Sequence, residues 1–393
     1  MLCLIAPPAF GQTMQDPSSQ ARIHIGPLAL APAISLTNAG IDTNVFNESV
    51  DAPPKRDFTM TVQPKTDVWL HVGRSLVSGN VTEDLVYYNT YASERSVNGS
   101  YKVGVLLPLT RLIVNGAVSY VRTRERPGFE IDARSQRNEL GYEGSVELRM
   151  FSKTFIGVKG RRQQVEFDKD AVFLTNSLQF ELNRTVTSQG LTVRHQLTPL
   201  TGLVFDAAKQ QDRFEFSHLR DADSTQITGG VRFDPFALLK GTATFGYRDF
   251  EPVQPGLPSY KGSTAAVDLS YVALGSTKLT LQAARDVQYS YDINQPYYVQ
   301  TGFLASLAQQ IFGPIDAVGR IGAQRLDYRD RVGVVVPAAN RIDYVHTYGG
   351  GVGYHLGRDI RIGFNIDNAH RTSAVTSRRY DGLRYGAAVT YGF

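Results

Sequence analysis

Twelve basic residues of this 393-residue chain share one pattern: Lys65, Lys102, Arg149, Lys159, Arg161, Arg194, Arg232, Arg248, Lys278, Arg320, Arg361 and Arg384. Each falls on the polar parity of a segment whose other parity is apolar, so each would stand on the watered face of a two-faced wall. Asp67, Glu143, Glu147, Asp234, Asp268, Asp286 and Asp367 share that face, which leaves it with an excess of cations. Gathered around a closed wall, Arg and Lys favour anions and repel cations. This predicts an anion preference or a path for an acidic polysaccharide. The alternative is that the charges pair across strands and only solvate the interior.

Other chemistry finds weaker support. The seven histidines, His24, His71, His195, His218, His346, His355 and His370, form no HExxH pair, and no Gly-x-Ser-x-Gly elbow is present. His195 and His346 have the apolar parity, where a lipid hydrolase would place its histidine, but turn and aromatic residues surround them. Asp221-Ala-Asp223 pairs two carboxylates yet lacks the glycine and distal glutamate of an EF-hand loop, and Arg220 beside it points to a loop ion-pair network. No catalytic residue, metal site or cofactor site is assigned. Asp42-Thr-Asn-Val-Phe46 reads either as a constriction that tucks its aromatic ring into a mouth or as an ordinary turn.

The elements that must carry these side chains are strands. Phe58, Met60, Val62, Val68, Leu70 and Val72 alternate with Thr59, Thr61, Gln63, Lys65, Asp67, Trp69 and His71, and comparable rows recur to the end of the chain. There Leu383, Tyr385, Ala387, Val389, Tyr391 and Phe393 alternate with Arg384, Gly386, Ala388, Thr390 and Gly392. A strand that is apolar outside and small or polar inside needs lipid on one side and water on the other. Only a closed barrel supplies both without unpaired backbone groups in the bilayer. The competing fold is a soluble sandwich closed by an edge strand.

Short links occur at 108–111, 151–154, 198–201, 236–240 (Phe236 to Lys240), 275–278, 312–315 and 357–359. They alternate with polar stretches at 122–136, 168–176, 216–224, 250–262, 291–297, 329–341 and 371–379. Short turns belong to the periplasmic rim and long loops to the outside. The expected fold is therefore all-β: a transmembrane antiparallel up-and-down barrel of about 18 strands (16–18). The first strand would lie near 27–37 and the last over 380–393, with 73–95 and 174–190 the places where a bulge or a split is hardest to read. Arg285 breaks the pattern, since it has the lipid parity between Ala283 and Val287 and would cost about 2–4 kcal/mol at mid-membrane. A bulge near Ala284 that turns it inward is expected; the alternative is a position near the rim.

Composition agrees. Hydrophobic residues make up 42% of the chain and mean hydropathy is −0.21, with no apolar run long enough for a transmembrane helix. Tyr and Phe number 20 each and Gly 36, against one Trp, as aromatic girdles and crowded strands require. Residues 1–11 read as the remnant of a signal peptide, 12–26 as a periplasmic segment and 27–393 as the barrel. Cleavage after Gly11 would remove Cys3, the sole cysteine, leaving neither disulfide nor thiolate chemistry; a lipoprotein role for Cys3 is the less favoured reading. The net charge of +4 is small and scattered, so nucleic acid is not an expected partner.

Several segments resemble the proteobacterial outer-membrane β-barrel porin family of the second type. They are Gly26-Pro-Leu-Ala-Leu-Ala-Pro32, Asp42-Thr-Asn-Val-Phe46, Leu197-Thr-Pro-Leu-Thr201, Arg213-Phe214 with Arg220-Asp-Ala-Asp-Ser224, Ala237-Leu-Leu-Lys-Gly241, and Gly246-Tyr-Arg-Asp-Phe250. The resemblance implies an integral outer-membrane location and, from members encoded beside exopolysaccharide genes, an exit for a secreted polymer. It carries over no catalytic residue. Tyr391 and Phe393 resemble the terminal signal read by the barrel-assembly machinery. Expected partners are outer-membrane lipid, that machinery, a polysaccharide or small anionic solute, and a periplasmic export partner. The leading expectation is a passive conduit. The next is a barrel plugged by its own side chains and loops that serves as an anchor or receptor, and the third is an outer-membrane lipid hydrolase. The volume left in the lumen once the inward arginines, Trp69 and Tyr88 are placed separates the first two.

Overall fold

The structure is a computed structural model that describes residues 17–235 and 237–392. The expected signal remnant 1–11, Phe236 of the expected turn and the terminal Phe393 lie outside the described residues. Alternation of apolar and polar side chains produces eighteen long strands. They are β1 (Leu28–Asp42), β2 (Asp57–Val72), β3 (Ser75–Tyr88), β4 (Ser96–Pro108), β5 (Leu112–Glu125), β6 (Ser135–Phe151), β7 (Thr154–Phe167), β8 (Arg184–Thr198) and β9 (Thr201–Phe214). The ring continues with β10 (Ala222–Phe233), β11 (Leu239–Pro252), β12 (Tyr260–Ala273), β13 (Thr277–Tyr289), β14 (Tyr297–Phe312), β15 (Ile315–Arg329), β16 (Ile342–Leu356), β17 (Ile360–Thr372) and β18 (Tyr380–Tyr391). Each pairs antiparallel with its neighbours in sequence, and β18 pairs with β1 to close the ring. Closure leaves no sheet edge in lipid.

The seam is tight. An added Cβ at Gly40 would run into the carbonyl oxygen of Tyr385, so only glycine lets β1 and β18 approach there. Beside it the β1 register shifts around Asn38, which has a positive φ of 54°. A short strand, Ile23–Ile25, folds back on Leu28–Leu30 and covers the part of β1 that β18 is too short to reach. Arg22 ties this arm to Asp359 at 3.1 Å.

Among the described residues eight connections are short and nine are long, alternating around the ring. The turn at 73–74, where Gly73 has φ +61°, completes the short set. The stretch after 168 is longer than expected. It holds a two-residue hairpin (Val172–Phe173 with Asn176–Ser177) and one helical turn, α1 (Leu178–Leu182), before β8 begins.

The bulge expected near Ala284 is absent: β13 keeps an unbroken register with β12 and β14. Arg285 stays on the outer face, close to the extracellular end of β13. It donates to Thr301 Oγ1 at 2.6 Å and to the Ser263 carbonyl at 3.2 Å. At that height the cost of an outward charge falls towards zero, so no inward turn is needed.

Candidate functional site

Inside the wall the charges expected to line the lumen are mostly paired. Of the eleven residues Lys65, Lys102, Arg149, Lys159, Arg161, Arg194, Arg232, Arg248, Arg320, Arg361 and Arg384, eight hold a carboxylate within 3.2 Å. The partners are Asp67, Glu143, Asp206, Glu147, Asp286, Asp367, Asp316 and Asp42, respectively for Lys65, Lys102, Lys159, Arg194, Arg248, Arg320, Arg361 and Arg384. Asp42, Asp206 and Asp316 were not among the inward acids read from the sequence; the two-residue period marks a face but not which strand's acid faces which base. Arg161 donates to Gln163 at 2.7 Å.

Near the short turn 152–153 the cations cluster differently. Arg149 on β6, Phe155 on β7 and Arg194 on β8 are direct cross-strand neighbours. Both guanidiniums lie over the Phe155 ring, at 5.3 and 4.0 Å from its centroid. The positive charge of Arg194 also acts on Arg232, next to the last residue of β10, and Arg232 Nε is buried without a hydrogen-bond partner among the described residues. Glu147 is the acid bonded to Arg194, at 2.7 and 3.1 Å.

Water reaches the middle of the lumen. Inward side chains there remain well exposed, with Arg320 at 34%, Asp367 at 42% and Lys159 at 39%. The extracellular end is different. Arg371, Asp343 and Arg220 are fully enclosed, and three clusters of buried apolar residues fill the space between the loops.

The filling is a latch built on the β5–β6 loop, residues 126–134. Phe129 packs against Tyr298, Leu326, Tyr328 and Val345, which belong to β14, β15 and β16 on the far side of the ring. Ile131 enters a second cluster with Val165, Phe167, Phe173, Leu178, Leu182 and Tyr291. A loop that touches both its neighbours and the opposite wall must cross the lumen. Arg371 on β17 fixes the crossing, donating to the carbonyls of Phe129 at 2.9 Å and Glu130 at 3.3 Å and to Asp343 Oδ2 at 2.6 Å. Asp132 meets Arg371 at 3.3 Å and Arg378 at 3.0 Å, and Arg378 also donates to the Glu130 carbonyl. Arg220 reinforces the next loops, reaching Glu181 at 2.9 Å and the carbonyls of Ser290 and Pro296 at 2.6 and 2.9 Å.

At the centre lies Glu130, only 1% exposed. Its carboxylate accepts from Ser290 Oγ at 2.7 Å and from the Tyr291 amide at 3.3 Å. Burial raises its pKa above the ordinary carboxylate value, against the lowering pull of the Ser290 bond and of Arg341, Arg378 and Arg371. The latched loop therefore holds a proton more tightly than the released loop does. The stabilisation is complete below the ordinary carboxylate pKa and fades as pH rises through the raised one. Once the intrinsic base-catalysed rise of amide exchange with pH is divided out, residues 127–133 are expected to lose protection as pH rises in the wild type and to keep it in Glu130→Gln. An equal pH dependence in the two proteins would rule out Glu130 as its source.

The other sequence candidates are structural. Phe46 sits edge-on to Tyr91 at 4.9 Å with Lys55 over its ring, so Asp42-Thr-Asn-Val-Phe46 is a loop turn and not the constriction. Asp221 caps the Phe214 amide at 2.7 Å and Asp223 pairs with Arg213 at 2.6 Å. His195 shares a hydrogen bond with Thr154 at 2.9 Å, and His346 stacks between Tyr344 and Tyr348 on the outer face. His370 meets Asp381 at 2.9 Å. Sequence reasoning missed the latch residues Glu130, Asp132, Asp343, Arg371 and Arg378. The one signal available was the length and charge of the 122–136 stretch.

No curated protein matches the chain. Among solved structures it is similar to OpdK of Pseudomonas aeruginosa, crystallised with vanillate, at 10% identity over 92% of this chain and 97% of that one, TM-score 0.47. It is similar as well to OccK2 (OpdF) of the same organism, at 10% identity over 93% and 96%, TM-score 0.47. A BenF-like porin from Pseudomonas fluorescens Pf-5 follows, at 9% identity over 92% and 98%, TM-score 0.46. The family described as "Putative beta-barrel porin 2" matches residues 16–393, a span that takes in the whole eighteen-strand wall, its lumen and its latch. The chain belongs to that porin family and is an integral outer-membrane protein.

Proposed function

We propose that the barrel is a passive, gated conduit for small anionic solutes, with no catalytic step and no cofactor. The observation that carries this reading is the Arg149–Phe155–Arg194 row with Arg232 beside it, at the periplasmic end of a watered lumen. Three guanidiniums gather in this one sector, and seven of the eight inward bases elsewhere stand beside a carboxylate of their own, so the crowding here weighs most on the sign of the field that a solute meets. Because Arg194 is partly neutralised by Glu147, the preference for anions is modest. A polymer is the less supported cargo: an acidic polysaccharide would have to displace the whole crossing loop and its buried arginines to leave, and a periplasmic export partner would have to feed it in.

The latch itself favours a second reading, a closed barrel that serves as an anchor or receptor. Single-channel recording in a planar bilayer under a salt gradient decides between them. The conduit reading expects small, interrupted conductance with a reversal potential on the anion side. Clear cation selectivity would overturn the anion path, and a folded but silent barrel at every voltage and pH would favour the anchor.

A further inference from the structure

On the outer wall, near the extracellular end, β4 and β5 frame a pocket of about 460 Å³ whose lining includes Arg95, Val97, Tyr101, Tyr120, Arg122 and Arg124. Tyr101 and Tyr120 stack with ring centroids 6.3 Å apart, and both carry the lipid-facing parity of their strands. Aromatic rings of this kind mark the interface, which puts the arginines just above them at the depth of lipid headgroups. Arg124 donates to Glu94 at 3.3 Å and to the Ser93 carbonyl at 2.5 Å, and Arg95 donates to the Tyr88 carbonyl at 2.8 Å. Arg122 is exposed and has no hydrogen-bond or ion-pair partner among the described residues. Against these three guanidiniums stand Glu94 and Glu83, the latter occupied by the Tyr101 hydroxyl at 2.6 Å. The pocket keeps a positive balance.

Further down β5 the same face opens into a groove of about 770 Å³. Gly144 and Gly160, direct neighbours across β6 and β7, form its floor, with Val146, Val158 and Leu191 along one side, and Gly116 on β5 continues the row as the cross-strand neighbour of Gly144. The barrel does not demand glycine there, since a Cβ added at any of the three meets no atom closer than 3.7 Å, an ordinary van der Waals contact. Glycine weakens a strand interior, so three in a row with no internal cause mark a place where another body lies against the backbone. Lys209, exposed and without an ion-pair partner among the described residues, stands beside the groove.

We propose that this face holds one phosphorylated glycolipid of the outer leaflet, its phosphate in the Arg95–Arg122–Arg124 pocket and an acyl chain along the Gly116–Gly144–Gly160 groove. Charge selects the occupant. A zwitterionic lipid brings a cation towards the guanidiniums, whereas a multiply phosphorylated headgroup offers acceptors to all of them.

The test uses the full-length barrel in detergent, with added diphosphoryl lipid A, dephosphorylated lipid A and phosphatidylcholine as separate probes read by native mass spectrometry. The wild type is expected to retain one diphosphoryl lipid A in preference to the other two. The Arg95→Ala/Arg122→Ala double variant should bind it at least about tenfold more weakly, as loss of charge-assisted hydrogen bonds implies. Gly144→Leu, whose Cβ comes no closer than 3.7 Å to a neighbour and whose side chain projects into the groove, should also weaken retention. Both variants should keep the heat-modifiable gel mobility of a folded barrel and the conductance of the wild type. Equal retention of the dephosphorylated probe or of phosphatidylcholine would overturn the proposal, as would undiminished binding by both variants. A wild-type dimer that Gly144→Leu dissolves would make the face a self-interface instead.

Discussion

Replacing Arg371 with alanine is expected to open the extracellular mouth. Arg371 is fully buried and joins the crossing loop to Asp343 and Asp132 at 2.6 and 3.3 Å. Removing one partner from a buried ionic network leaves charge uncompensated and costs about 3–5 kcal/mol. Arg341, at 2.5 Å from Asp343, softens the loss but does not reach across to the loop backbone. Each 1.36 kcal/mol is a factor of ten, so the ratio of released to latched loop should rise at least about a hundredfold. The wall is unaffected, because its hydrogen bonds run between neighbouring strands and not through the plug. In single-channel recordings the variant should stay in a high-conductance state that the wild type visits rarely. A companion in which a short Gly-Ser link replaces residues 127–133 should do the same without disturbing β17. If both proteins fold and conduct as the wild type does, the crossing loop is not what closes the barrel.

Reversing the charge at Arg149 and Arg232 should move the reversal potential to the cation side. A unit charge about 4 Å from a passing ion is worth about 1 kcal/mol in a watered lumen and more where the wall lowers the dielectric. Two Arg→Glu changes alter the local sum by four unit charges, so the anion-to-cation permeability ratio should fall by about tenfold or more. Arg149→Gln/Arg232→Gln, which removes charge without adding any, should stop near neutrality and guards against misfolding by repulsion from Glu147. High salt should shrink both effects, since screening shortens to about 3 Å at 1 M. A ratio unmoved by the Glu pair would mean that selectivity is set elsewhere in the lumen.

Several parts of this molecule were legible in the sequence because their causes are local. The two-residue period of rows such as Phe58 to Val72 and Leu383 to Tyr391 comes from one strand lying between lipid and water, and the alternation of short and long connections follows from the strands' up-and-down path. Those patterns determined the barrel, its eighteen strands, its membrane and the inward parity of Lys159 or Arg320. Arg285 shows the limit of parity: the residue faces outward as read, but height along the strand, not a bulge, resolves its charge.

Tertiary structure alone decided which charges cancel and what fills the mouth. Lys159 pairs with Asp206 two strands away, and Glu130 meets Ser290 from a loop 160 residues later. Such contacts depend on where eighteen strands place their ends around a ring, and no period in the chain encodes that angle. The sequence by itself determined a charged, watered wall; only the closed ring brought the 126–134 loop onto Arg371, because a loop's partners are chosen by the space it crosses and not by the residues beside it.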